Sequence, residues 1–135
     1  LRVRAFVEAH VLPLEKQQDA FDAHENIRED LVAAVRQKAK AEGLWAFQMP
    51  KSRGGQGLGV VGMAACYEEA ARSPFGPVMF NAAPPDDGNM TVLNKVGTAQ
   101  QKTRWMQPIV DGKVRSAIVM TEPAPAAMAL AISPL

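Results

Sequence analysis

Apolar residues recur at helical spacing through most of the chain. In residues 1–14, Val3, Phe6, Val7, Val11 and Leu14 share one face, with Arg2, Arg4 and Glu8 on others. That pattern predicts an amphipathic helix ending near Pro13, with His10 beside the stripe as an ordinary core histidine. Residues 15–25 are polar and read as a loop. Asn26 followed three residues later by Glu29 predicts a capping box. The helix it opens turns Ile27, Leu31, Ala34, Val35 and Ala39 inward, and a left-handed Gly43 stops it. Leu44, Trp45 and Phe47 follow as a cluster that plugs the end of a bundle, before Pro50 ends regular structure.

From Val60 to Arg72, a face of Val60, Met63, Ala64, Tyr67 and Ala71 lies opposite Glu68, Glu69 and Arg72, which read as a solvated ion-pair face. Prolines interrupt the stretch through Pro85. Asp86 or Asp87 can cap the next helix, in which Met90, Leu93 and Val96 share a face that Gly97 ends. Thr98 with Gln101 predicts a second capping box and a helix that buries Trp105, Met106 and Ile109. Asp111-Gly112 turns the chain into Val114–Met120, which has the length and side chains of a buried strand. About five helices thus precede one strand.

Composition supports a helical core. The 135 residues suffice for one packed domain, and 47% apolar with only 6% aromatic residues favours helix packing over an aromatic-rich β-sandwich. Fifteen basic and fourteen acidic residues leave a formal charge of +1 with no long block of one sign, which argues against a nucleic-acid or anionic-membrane surface. No basic face interleaved with aromatics is present, so an RNA-stacking module is disfavoured. A single cysteine, Cys66, rules out an internal disulfide and fits a small core residue. Ala124–Leu135 is uncharged but shorter than the ~20 apolar residues of a spanning helix, and prolines interrupt it. The chain begins at Leu1, which leaves room for an upstream targeting peptide; the compartment stays open between bacterial cytoplasm and mitochondrial matrix.

Gly57, Gly59 and Gly62 have the spacing of a dinucleotide-binding fingerprint, but no strand feeds the turn and no acid follows at the required distance. The glycine-rich segment from Lys51 to Gly59 therefore reads as a flexible lead-in to a helix. Adjacent Glu68 and Glu69 diverge by about 100° around a helix, so they cannot flank one substrate bond as acid and base. No metal-ligating set stands out.

The segment Gly97-Thr98-Ala99-Gln100-Gln101-Lys102-Thr103-Arg104-Trp105-Met106-Gln107-Pro108-Ile109-Val110-Asp111-Gly112-Lys113, followed by Ser116-Ala117-Ile118-Val119-Met120-Thr121-Glu122-Pro123, resembles the acyl-CoA dehydrogenase family over roughly residues 1–123. Asp87-Gly88-Asn89-Met90 is similar to members nearest the large acyl-CoA dehydrogenase-like fusion proteins. The resemblance implies a mainly α fold, an orthogonal or up-down bundle of about five helices followed by the first strand of a β-barrel-like domain. Residues 1–112 would be the helical N-terminal domain and 113–135 the truncated start of a flavin-binding β-domain. It further implies FAD-dependent oxidation of a fatty acyl-CoA thioester to the 2-enoyl-CoA, with a glutamate abstracting the α-proton.

By position, Ile118, Met120 and Thr121 would line the flavin, while Asn89, Met90 and Leu93 would wall the fatty acyl pocket. Apolar spacing alone leaves Met90 and Leu93 equally readable as bundle core, and Thr121 as a turn-initiating hydroxyl. After Thr-Glu-Pro the family continues with glycine, serine and aspartate, whereas this chain reads Ala124-Pro125-Ala126. No acid matches the catalytic base, so no catalytic residue is assigned and the isolated chain is expected to be inactive. Implied partners are the fatty acyl-CoA, electron-transfer flavoprotein or a similar acceptor, and further copies of the full-length chain. A different class of reading is a non-catalytic helical module that docks through its C-terminal strand.

Overall fold

The opening amphipathic run forms α1 (Arg2–His10), which turns Val3, Phe6 and Val7 inward; the computed structural model describes residues 2–119. The helix stops before the predicted Pro13. The chain breaks at Val11, and Pro13 sits in the first turn of α2 (Leu12–Glu15), where its missing N–H forfeits no helical bond. A 3₁₀ turn at Gln18–Ala20 and one antiparallel bridge, Phe21 to Ile27, organise the segment expected as loop.

The capping box at Asn26 and Glu29 does not form. Asp22 Oδ1 accepts from the backbone N–H groups of His24 and Asn26 at 2.8 and 3.0 Å, so a local turn claims Asn26 before the helix begins. α3 (Glu29–Ala41) starts after Arg28 without a side-chain cap. Val32, Val35 and Ala39 are buried along it, while Ala34 is exposed. Gly43 adopts the left-handed conformation expected at its end (φ 67°).

Leu44, Trp45 and Phe47 are buried, as the sequence predicts. Phe47 and Phe80 meet at 5.3 Å between ring centroids and Phe80 meets Phe6 at 5.2 Å, so the centre of the bundle is aromatic although the chain has few such residues. The glycine-rich segment, which includes a 3₁₀ turn at Lys51–Arg53, folds back on residues 46–49. The N–H groups of Gln56, Gly57 and Leu58 reach the carbonyls of Ala46, Met49 and Phe47. A Cβ on Gly55 would lie 2.2 Å from the Met49 carbonyl oxygen, which is why this approach requires glycine. The glycines permit tight packing and lead into α4 (Val60–Ala70), with no strand preceding them.

On α4 the expected inward face is displaced. Val60, Ala64 and Ala71 are exposed, and Ala70 and Glu69 are buried. Glu69, expected in a solvated face, is only 5% exposed. Its carboxylate accepts from Arg4 Nε at 2.9 Å and Arg4 Nη2 at 2.6 Å, a bidentate pair that ties α4 to α1. Cys66 is half-buried, and burial pushes its thiol pKa up.

A single turn, α5 (Gly76–Met79), packs on α3 and leads to α6 (Asp86–Val96). The Thr98–Gln101 capping box forms, with both reciprocal bonds present. It opens a continuous helical run of α7 (Ala99–Gln101), a π-helical turn over Lys102–Met106, and α8 (Gln107–Val110). Pro108 has no N–H for the Arg104 carbonyl and its ring crowds that oxygen. The widened turn, in which Gln107 N–H donates to the Lys102 carbonyl, accommodates this. It also rotates Trp105 outward, so the residue expected in the core is 44% exposed while Met106 and Ile109 are buried.

Residues 114–119 form no strand pairing. A ladder needs a neighbouring strand, and among the described residues none lies alongside. The expected β-barrel-like start therefore has no counterpart in residues 114–119. No helix among the described residues is long and apolar enough to cross a membrane.

Candidate functional site at the chain exit beside helix α6

Where the chain leaves the bundle, α6 grips it. Asp86, expected as a helix cap, caps nothing. Its carboxylate is 2% exposed at residue level and accepts from three donors: Arg115 Nε at 2.6 Å, Ser116 N–H at 2.7 Å and the Ser116 hydroxyl at 2.7 Å. A buried carboxylate needs such compensation, because leaving it unpaired away from water is costly. One turn along, Asn89 Nδ2 donates to Ser116 Oγ at 2.9 Å. Two side chains of α6 thereby fix the start of the segment that carries Ile118.

The base of this exit is held from below. Trp45 Nε1 donates to the Val110 carbonyl at 2.7 Å, and Asn81 Nδ2 donates to the Ile109 carbonyl at 2.9 Å. Carbonyls at a helix C-terminus lack intrahelical partners, so these two buried side chains, with the Gly112 N–H that also reaches the Ile109 carbonyl at 2.9 Å, complete the end of α8. Asn81 does so from a left-handed backbone (φ 55°), which asparagine tolerates, and its Oδ1 accepts from Arg36 Nη2 at 3.3 Å. Burial, and then the neighbouring Arg115 charge, draw the Arg36 pKa down.

The sequence-predicted site residues separate. Asn89 faces the exit segment. Met90 is fully enclosed in the core and receives a weak bond from Asn81 Nδ2 at 3.8 Å. Leu93 is half-buried against the core. Ile118 is 55% exposed and the adjoining Val119 is 88% exposed, an apolar pair open to solvent. Met120 and Thr121 lie outside the described residues.

Asp86, Asn81 and Trp45 were not singled out from sequence as holding the exit. For Trp45 a signal exists, since a buried indole N–H requires an acceptor. For Asp86 none does, because its partners are 29 and 30 positions away. Among the described residues no group of three or more His, Cys, Asp or Glu side chains is placed to hold a metal ion.

Comparison with known proteins gives the same direction. Residues 2–113 match the family described as acyl-CoA dehydrogenase, N-terminal domain. Acyl-CoA dehydrogenase family member 11 of Gallus gallus is 36% identical over 129 residues, covering 91% of this chain and 16% of that protein. "Probable acyl-CoA dehydrogenase FadE2" of Mycobacterium tuberculosis is 33% identical over 127 residues, covering 91% of this chain and 31% of that protein. A solved acyl-CoA dehydrogenase-type structure from Mycobacterium abscessus superposes with a TM-score of 0.73 at 35% identity, over 90% of this chain and 33% of that one. The chain thus spans between a sixth and a third of the length of these three proteins. The bundle that ends in this gripped exit, and the match over nearly all of it, place the chain in the acyl-CoA dehydrogenase family, of which it carries the helical N-terminal domain.

Proposed function

We propose that this domain forms one wall of a flavin-dependent acyl-CoA dehydrogenase, and that residues 113–135 begin the β-domain against which the flavin lies. The observation that carries the reading is the Asp86 grip on Arg115 and Ser116, because it fixes α6 and the segment bearing Ile118 to each other. The exposed Ile118 and Val119 fit an isoalloxazine, whose flat ring needs apolar contact on its face. Ile118, Met120 and Thr121 would hold FAD, with the Thr121 hydroxyl toward its polar edge.

Bound there, FAD would supply acceptance of the β-hydrogen as hydride. The chain's own part is to hold and to exclude water. Asn89 and Leu93 lie on the helix that would flank the fatty acyl chain, with Met90 backing that wall from the core. Tight relative placement of substrate and acceptor is where such a wall contributes to rate. No acid of this chain is assigned as the base. The activity, the fatty acyl-CoA substrate, the electron-transfer flavoprotein partner and oligomerisation belong to the full-length protein under this reading.

The test is to purify a full-length polypeptide carrying this chain and record its visible spectrum, then its oxidation of fatty acyl-CoA with a dye acceptor. A yellow protein that reduces the dye is expected. A colourless protein that cannot be reconstituted with FAD would refute the reading. Asp86→Ala should retain the bundle but lose flavin, with faster hydrogen exchange at the Ser116 amide.

A further inference from the structure

Beside Trp45 lies a cleft of about 420 Å³, lined by Lys40, Trp45, Arg53, Gln56, Asp111 and Lys113 among others. Its charge is unbalanced: three cations face one carboxylate. Elsewhere the buried acids are closed by arginine, Glu69 by Arg4 and Asp86 by Arg115. Here Lys113 Nζ lies 2.9 Å from Asp111 Oδ2, and Lys40 donates to the Asp111 main-chain carbonyl, which neutralises nothing. The guanidinium of Arg53 makes no hydrogen bond among the described residues, only its main chain being engaged, its N–H by the Pro50 carbonyl and its carbonyl by Gln107.

The surroundings add to the positive field. Lys40 Nζ stands 4.3 Å over the Trp45 ring, and Arg36 lies 5.2 Å from the same ring. Burial, then Arg36, bring the Lys40 pKa down, with Lys113 acting in the same sense. Concentrating like charges on a concave, partly desolvated surface raises the local concentration of anions. Arginine with two lysines is the donor set suited to phosphate oxygens, one planar fork and two point charges. The Gln56 amide, also at the cleft, can donate to a further oxygen.

We infer that the cleft between Lys40, Arg53 and Lys113 binds a phosphate-bearing small molecule. The cleft is built from the end of α3, the glycine-rich segment and the turn after α8, and neither Ile118 nor the α6 residues Asn89 and Leu93 line it. It is therefore a second site, and its fate does not depend on the flavin reading.

Inorganic phosphate, pyrophosphate and ADP are titrated separately into the full chain, by calorimetry and by Trp45 fluorescence in a Trp105→Phe background. Saturable one-to-one binding that weakens with salt is expected. Arg53→Gln and Lys113→Gln should each lose about tenfold in affinity, the worth of one charge-assisted hydrogen bond, while melting as the parent does. Lys95→Gln, away from the cleft, should change nothing. ADP binding more tightly than pyrophosphate would identify a nucleotide, and equal affinities would identify the phosphate group alone. The inference is overturned if none of the three saturates at millimolar concentration, or if both cleft variants keep the parent affinity.

Discussion

Replacing Asn81 should be among the most damaging single changes in the domain. Its amide is 2% exposed at residue level and donates to the Ile109 carbonyl at 2.9 Å and, at 3.3 Å, to the Val110 carbonyl. Val110 keeps Trp45 Nε1 as a donor and Ile109 keeps the Gly112 N–H at 2.9 Å, so Asn81→Ala removes buried hydrogen bonds without leaving either carbonyl bare. A lost buried hydrogen bond whose acceptor keeps another donor costs about 0.5–1.5 kcal/mol. Alanine must also take up the left-handed backbone at φ 55°, which adds about 1–2 kcal/mol. The expected loss is therefore about 1.5–3.5 kcal/mol, a large share of a typical domain's stability.

Asn81→Gly separates the two causes. Glycine adopts the left-handed conformation freely, so it should lose the hydrogen-bond part and escape the backbone part. Urea unfolding followed by tryptophan fluorescence gives both free energies. The reasoning fails if Asn81→Ala stays within about 0.5 kcal/mol of the parent, the range of an ordinary surface change, or if glycine is no better than alanine.

Further outcomes follow from individual contacts. Gly112 has φ 69°, and a Cβ there would meet Trp45 Cζ2 at 2.8 Å, so Gly112→Ala should destabilise by about 1–3 kcal/mol and shift the Trp45 emission. The hydrogen bond from Arg4, with the Arg4 charge, holds the Glu69 carboxyl below its ordinary 4.5. Its contribution is present above the unfolded value and is lost as pH falls through the folded one. Stability measured by urea titration should decline across that acid window, and Glu69→Gln should flatten the decline. Tyr67 is the one tyrosine of the chain, and burial, then the Asp87 charge, push its pKa from 10.0 up to about 12. Tyrosinate absorbance should rise with that midpoint in the folded protein and near 10.0 in denaturant, stability should fall between the two, and Asp87→Asn should lower the folded midpoint.

Much of the bundle follows from local sequence. The Thr98–Gln101 box and the Gly43 stop are decided within a few residues, because their bonds join neighbours in the chain. The apolar cluster at Leu44, Trp45 and Phe47 is decided by hydrophobicity alone. The resemblance carried by Gly97–Pro123 led to the right family for the same reason, since it rests on residue identity. Asn26 shows the limit even locally: two short-range partners competed for it, and the Asp22 turn prevailed.

Tertiary structure alone decided the polar partners and the exposure of several apolar side chains. Glu69 looks like a surface acid until α1 brings Arg4 against it, and Asp86 looks like a cap until the chain returns 30 residues later with Ser116. Periodicity assigned Trp105 to the core on the assumption of 3.6 residues per turn, and the π turn before Pro108 removed that assumption. The cleft at Lys40, Arg53 and Lys113 gathers cations from three separate elements, which a net charge of +1 conceals. Hydrophobic pattern and caps are properties of neighbours along the chain, whereas hydrogen-bond satisfaction and electrostatic field depend on neighbours in space, and those exist only once the chain has folded.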